Sequence, residues 1–212
     1  MPGKKKQSGS ETDGVVRQRL LAGATKLFAR KGYASTTVRE IVQAAGVTKP
    51  VLYYYFPNKE GIYLELMRGA WERFDTLLSS ARKESGGARE KVLHLSDQVF
   101  GLFLDHIDVT RVGYSIYYGP PQGAPFFDLD AFHFKLHEVI KGLVEEGIRK
   151  KEFRNGKVLE MTWAIIGAVH VALEIELWHP ELGMGRRGLG RVLNLIFDGI
   201  SSGASQKKGD RK

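Results

Sequence analysis

Residues 48–56 read Thr-Lys-Pro-Val-Leu-Tyr-Tyr-Tyr-Phe, and three successive phenol rings are an unusual offer of side chains to a partner. On a helix each residue turns by about 100°, so Tyr53, Tyr54 and Tyr55 cannot all face one core. Leu52 and Phe56, four apart, are the natural inward anchors, with Tyr55 beside them. Lys49, Pro50, Tyr53 and Tyr54 are then left facing away. A tyrosine hydroxyl donates to a phosphate oxygen while its ring covers a sugar or a thymine methyl, so the outward pair suits contact with DNA.

Other residues offer different chemistry. His133 and His137 stand four apart, near Asp128 and Asp130, and two imidazoles on one helical face can bind zinc. The glutamate of an HExxH site is missing, however, and the pair flanks an apolar stripe of Leu129, Leu136, Ile140 and Leu143, so neither a metal nor another cofactor is expected. Trp163, Gly167, His170, Glu174 and Trp178 share a second stripe, on which His170 and Glu174 are costly to bury without partners and so face a polar cavity, each other or solvent at a dimer rim, with pocket lining favoured. With Phe100, Phe103, Tyr114, Tyr117, His133 and His137 they make a candidate set for a small-molecule site. The rival from another class is an enzyme on a helical bundle around His133, His137 or Glu174. No nucleophile, Gly-rich phosphate loop or carboxylate pair supports it, and the chain has no cysteine.

Charge is unevenly placed. Residues 1–60 hold 11 Lys and Arg against 4 Asp and Glu, whereas residues 61–212 hold 21 against 20. A basic N-terminal quarter beside a near-neutral remainder is the footprint of a polyanion partner. No lysine-flanked apolar leader follows the start, and no run is read as long and apolar enough to span a bilayer, so a cytoplasmic protein with no membrane partner is expected.

The elements that must position these residues are helical throughout. An apolar stripe of Val16, Leu20, Ala24, Leu27 and Phe28 predicts a helix from Asp13 to about Lys31, closed by Gly32. Thr37 and Glu40 form a capping box for a second helix, which Gly46 ends. Thr48 can cap the tyrosine-bearing helix, where Pro50 is tolerated in the first turn and Pro57 stops the run. Asn58 can cap a longer helix with Ile62, Leu66, Trp71, Phe74, Leu77 and Leu78 inward. Further helices are expected near 88–105, 109–118, 126–150, 157–178 and 187–200. The fold class is all-α with about nine helices, divided into a disordered basic tail (1–13), a helix-turn-helix DNA-binding domain (14–60), a larger helical domain (61–202) and a second disordered tail (203–212).

The stretch STTVREIVQAAGVTKPVLYYYFPNKEGIYLEL resembles the DNA-binding segment of TetR-family transcriptional regulators: a Thr pair, an apolar residue, Ala-Gly-Val, a short helix with Leu-Tyr-x-x-Phe, then Lys-Glu. The resemblance covers about residues 14–66. It implies that Thr37 and Arg39 open the supporting helix against the DNA backbone, that Lys49, Pro50, Val51 and Tyr53 line the groove with Thr48 at their head, and that Tyr54 and Lys59 hold phosphates. A cation at a helix start adds to the positive end of the backbone dipole, which agrees with a phosphate clamp at Lys59. Pro50-Val51 stand where many members have Gly-Thr, and Val51 offers only apolar contact to a thymine methyl.

The resemblance also implies that residues 61–202 are a ligand-binding and dimerisation domain, with a homodimer on a palindromic operator, a repressor released by a small effector, and pairing of subunits through the last two helices; the apolar and aromatic richness of that half, which ordinary core would share, suggests a hydrophobic or aromatic effector. The final-helix stripe of Leu189, Val192, Leu193, Ile196, Phe197 and Ile200 would be ordinary core if packed inside one subunit and a four-helix interface if packed against its twin, and the resemblance favours the second. A protein that coats DNA without sequence preference is the remaining alternative.

Overall fold

In the computed structural model, which describes residues 7–81 and 85–201 with side chains from Asp13 onward, nine α-helices, one 3-10 turn at Pro180–Leu182 and no strand are found among the described residues. The helices are α1 (Gln7–Lys31), α2 (Val38–Ala45), α3 (Lys49–Tyr55), α4 (Lys59–Ala81), α5 (Ala88–Asp105), α6 (Ile107–Tyr117), α7 (Asp130–Arg149), α8 (Val158–Trp178) and α9 (Gly185–Ile200). The all-helical expectation holds. Helix α1 begins six residues before the predicted Asp13, within the stretch read as a tail, and the tail residues 1–6 and 203–212 lie outside the described residues. Helix α7 begins at Asp130 rather than near 126 because the Pro-containing stretch before it carries no helix.

The chain forms two compact units. One comprises residues 1–70 and 108–128; the other comprises 71–107 and 129–212. This division differs from the single boundary expected after residue 60, since the chain leaves the first unit within α4 and returns to it with α6.

In the first unit the predicted stripe of α1 is inward: Leu20, Ala24, Leu27 and Phe28 are buried, and Val16 is half-buried. Ile41, Leu52, Phe56, Ile62 and Val112 join that core. Tyr63, with no counterpart in the predicted set, is fully buried, edge-on to Tyr33 at 5.3 Å between ring centroids.

In the second unit Phe74, Leu78, Val92, Leu95, Val99, Phe100, Val144 and Ile165 are buried, together with Leu189, Leu193, Phe197 and Ile200 of α9. Here the structure corrects the sequence reading. Four of the six apolar residues assigned to subunit pairing on α9 face their own subunit's core, where α9 packs on α5 and α8. Spacing identifies an apolar stripe and leaves open which neighbour covers it. A second correction concerns α8, which passes as a membrane span on length and composition, with a mean hydropathy of 1.6. Seven of its residues are buried in the unit's own core, while Leu159, Trp163, Val171 and Trp178 are exposed, so α8 is a core helix with an apolar outer face.

Candidate nucleic-acid interface

Three short-range devices set the geometry of α2 and α3. At the start of α2 the Glu40 amide donates to Thr37 Oγ1 at 3.3 Å while the Thr37 amide donates to Glu40 Oε2 at 2.9 Å, which is the reciprocal cap expected from the sequence. The Lys31 ammonium donates to the same carboxylate at 2.5 Å. That bond, then those from the Thr37 amide and the Thr37 hydroxyl (2.8 Å), hold Glu40 well below the usual carboxylate range, at about 2. At the end of α2, Gly46 takes φ +63°, a left-handed conformation that costs glycine nothing, and its amide bonds back to Gln43 and Val42. Arg19 of α1 completes this end by donating to the carbonyls of Ala45 and Gly46.

Helix α3 then runs for only seven residues, too short to persist alone. Thr48 has N-cap geometry, but its side chain makes no capping bond, so the cap expected from its hydroxyl is absent; its carbonyl instead accepts from the Leu52 amide at 3.1 Å. Leu52 (0% exposed) and Phe56 (3%) anchor the helix inward. Tyr53 and Tyr54 are 51% and 74% exposed, as an outward pair must be. Tyr55 is half-buried, and its hydroxyl donates to the Asp13 carboxylate of α1, a bond that pushes its pKa up to about 12. Its ring meets Tyr54 edge-on at 4.9 Å. Arg17 of α1 lies 5.3 Å over the Phe56 ring and pairs with Glu65 of α4 at 2.5 Å.

Thr37, Arg39, Thr48, Lys49 and Pro50 are exposed, and Val51 is half-buried at the edge of the same short helix. Lys59 is different. Its ammonium donates to the carbonyls of Tyr33 and Thr36 at 2.9 and 3.0 Å and lies 4.1 Å over the Tyr33 ring. Burial in that cradle lowers its pKa, with Glu60 opposing and Lys31 adding to the effect. Two of the three ammonium donors are therefore committed within the protein, and one remains for a phosphate oxygen. The free clamp expected at Lys59 becomes first a tie between α4 and the turn leading into α2. Arg17, Arg19 and the Asp13–Tyr55 bond have no local sequence signal, since each joins residues 26 to 48 positions apart.

The candidates for a small-molecule site divide between the units. Tyr114 and Tyr117 belong to the first, and Phe100, Phe103, His133, His137, His170 and Glu174 to the second. The ring centroids of His133 and His170 are 6.0 Å apart; burial, and then the proximity of His133, lowers the pKa of His170, with Glu174 opposing. His137 is half-buried, and Phe100 lies in the core. Tyr117 and Glu174 face solvent instead of a cavity. Phe103 joins an aromatic group that sequence reading missed, in which Phe74 lies 5.7 Å from Phe103 and 5.1 Å from Phe132, and Phe132 lies 5.1 Å from Trp71. An open groove of about 420 Å³ is lined by Glu72, Arg73, Thr76, Leu77, Ser80 and Leu102, none of them predicted as site residues.

Residues 20–66, which hold this capped pair of helices, match the profile of bacterial regulatory proteins of the tetR family. This segment is of the TetR family. Among its curated relatives, the HTH-type transcriptional regulator YdgC of Bacillus subtilis is 34% identical over 102 residues, which are 46% of this chain and 52% of YdgC, so the match spans about half that relative's length. The HTH-type transcriptional repressor KstR2 of Rhodococcus jostii is 27% identical over 154 residues, 71% of this chain and 74% of that one. Among solved structures, the ketosteroid transcriptional regulator KstR2 of Mycobacterium tuberculosis shares the fold at a TM-score of 0.70 and 21% identity, covering 87% of this chain and 94% of its own. FadR of Bacillus subtilis, solved in complex with stearoyl-CoA, does so at 0.63 and 21%, covering 86% and 98%. These TetR-family relatives are regulators of transcription, not enzymes.

Proposed function

We propose that this chain is a cytoplasmic, ligand-responsive transcriptional repressor of the TetR family that binds a palindromic operator as a homodimer, with α3 in the major groove. The observation that carries the reading is the pairing of two exposed tyrosines on a seven-residue helix with two buried anchors, Leu52 within it and Phe56 just after it. Such a helix, held by α1 and α2 at its back, presents only its outer face to a partner. Thr37, Arg39 and Tyr54 contact the backbone, while Lys49, Pro50, Val51 and Tyr53 face the bases, with Thr48 at the head of the helix and Lys59 supplying its one uncommitted donor. Apolar contact from Val51 and the tyrosine ring favours thymine methyls.

A single seven-residue helix reads few base pairs, so useful specificity needs two copies. The exposed residues Leu159, Trp163, Val171 and Trp178 of α8 and Leu195 of α9 supply the surface for that pairing. The effector is a small molecule with a hydrophobic or aromatic part and binds in the second unit. The aromatic group around Phe74 supports this, as do the ketosteroid and stearoyl-CoA named for two structural neighbours. Such an effector acts through unequal affinity for DNA-competent and incompetent forms.

Selection of duplexes from a random pool tests the reading. A repressor enriches a two-fold symmetric sequence and binds it at least about a thousandfold more tightly than random DNA at the same salt. Uniform affinity for every duplex would instead identify a DNA-coating protein.

A further inference from the structure

The peptide of Tyr33 lies in the turn between α1 and α2, and both of its polar ends are held from outside that turn. Tyr33 is only 4% exposed, so its N–H needs a protein acceptor. That acceptor is Gln122 Oε1, at 2.8 Å, from the segment that follows α6. The other end of the same carboxamide donates to the Ser115 carbonyl of α6 at 3.2 Å, so Gln122 is fastened to the preceding helix while it reaches the turn. On the opposite side the Tyr33 carbonyl accepts from Lys59 at 2.9 Å, and Lys59 also holds Thr36, the residue before the α2 cap. The turn leaves little room for anything else, because Gly32 sits at φ +84° and a Cβ there would approach Gln122 Oε1 to 2.7 Å.

We infer that Gln122 is a positioning residue for DNA binding, through which the segment after α6 fixes the Tyr33 turn and hence the seating of α2 and α3. The inference rests on the proposed DNA-binding role. Its physical content is a hydrogen bond spanning 89 residues inside one compact unit. Residues 108–128 enter that unit from the other one at both ends, so a displacement of α6 reaches the turn by withdrawing the carboxamide from the Tyr33 amide. Gln122 contacts no DNA in this account, and its loss therefore changes affinity without removing a phosphate contact.

The test compares wild type, Gln122→Met and Gln122→Glu by amide hydrogen exchange at Tyr33 without DNA, and by affinity and salt dependence on a duplex selected by the wild-type protein. Gln122→Met, similar in length but without an acceptor, is expected to expose the Tyr33 amide and to weaken DNA binding about tenfold at an unchanged salt slope. Gln122→Glu keeps an acceptor for the Tyr33 amide while losing the donor to the Ser115 carbonyl, and is expected to lie between wild type and Gln122→Met in both readouts, so the comparison stands even where Gln122→Met folds poorly. If Tyr33 exchange and affinity are unmoved in Gln122→Met, or if Gln122→Glu fares as badly, the positioning role is wrong while the DNA-binding reading stands. A wild-type protein that selects no duplex overturns that reading, and this inference with it.

Discussion

Replacing Lys59 by methionine keeps the length of the side chain and removes the ammonium. In the DNA-free protein two carbonyls, those of Tyr33 and Thr36, lose a charged donor, and the Tyr33 ring loses the cation 4.1 Å above it. The Tyr33 carbonyl retains the Thr36 amide at 3.2 Å, so only Thr36 is stripped of its described partner. Hydrogen bonds to a charged group contribute roughly 1.5–3 kcal/mol each, and a cation over a ring about 0.5–1 kcal/mol at a partly exposed site. Allowing for the half-buried position and for the desolvation that the variant no longer bears, the net loss is about 2–3 kcal/mol. At roughly 2–4 °C per kcal/mol for a chain of this size, the melting temperature should fall by about 5–10 °C. Differential scanning calorimetry without DNA reads this directly. A side chain whose role was confined to a phosphate would leave the DNA-free transition where it was, so a shift below about 1 °C would refute the tie.

Three further outcomes are expected. Tyr53→Ala should change which sequence is enriched in a duplex selection, whereas Tyr54→Phe should weaken all duplexes by about fivefold through loss of one hydroxyl contact; identical enriched sequences for wild type and Tyr53→Ala would remove Tyr53 from the groove. Glu40 is held at about 2 in the folded protein, below the usual 4.5, so its charged form contributes fully above about 4.5 and the contribution fades as pH falls toward 2. The melting-temperature gap between wild type and Glu40→Gln should therefore close over that window, and a gap that stays constant from neutral pH downward would contradict the capping account. Leu195→Asp, at a position 73% exposed, should leave the helical content intact and shift sedimentation from dimer toward monomer; an unchanged dimer would move the pairing surface elsewhere.

Local chemistry made α2 and α3 legible. The Thr37–Glu40 cap, the left-handed Gly46 and the Leu52–Phe56 pair act within four residues of one another, and each stands as the sequence implied. Lys59 was legible as a cation at a helix start and illegible as a tie, because its acceptors are backbone carbonyls 23 and 26 residues away and a carbonyl carries no residue identity. The same blindness hid Arg19 and Gln122. On α9 the stripe was read correctly and its partner was not, since a buried stripe has the same spacing whether its own subunit or a second one covers it. The exposed residues of α8 were quotable in advance, but only burial in the folded chain separates Trp163 and Trp178 from core.

The central claim, that the outer face of α3 lies against duplex DNA, is tested most directly by photocrosslinking. A benzophenone amino acid is placed at Tyr53, at Tyr54 or, as a control, at Phe134, which is 72% exposed on α7. Irradiation with the selected duplex should attach DNA at the first two positions and not at the third. Crosslinking at Phe134 with none at Tyr53 or Tyr54 would place the nucleic acid on another surface.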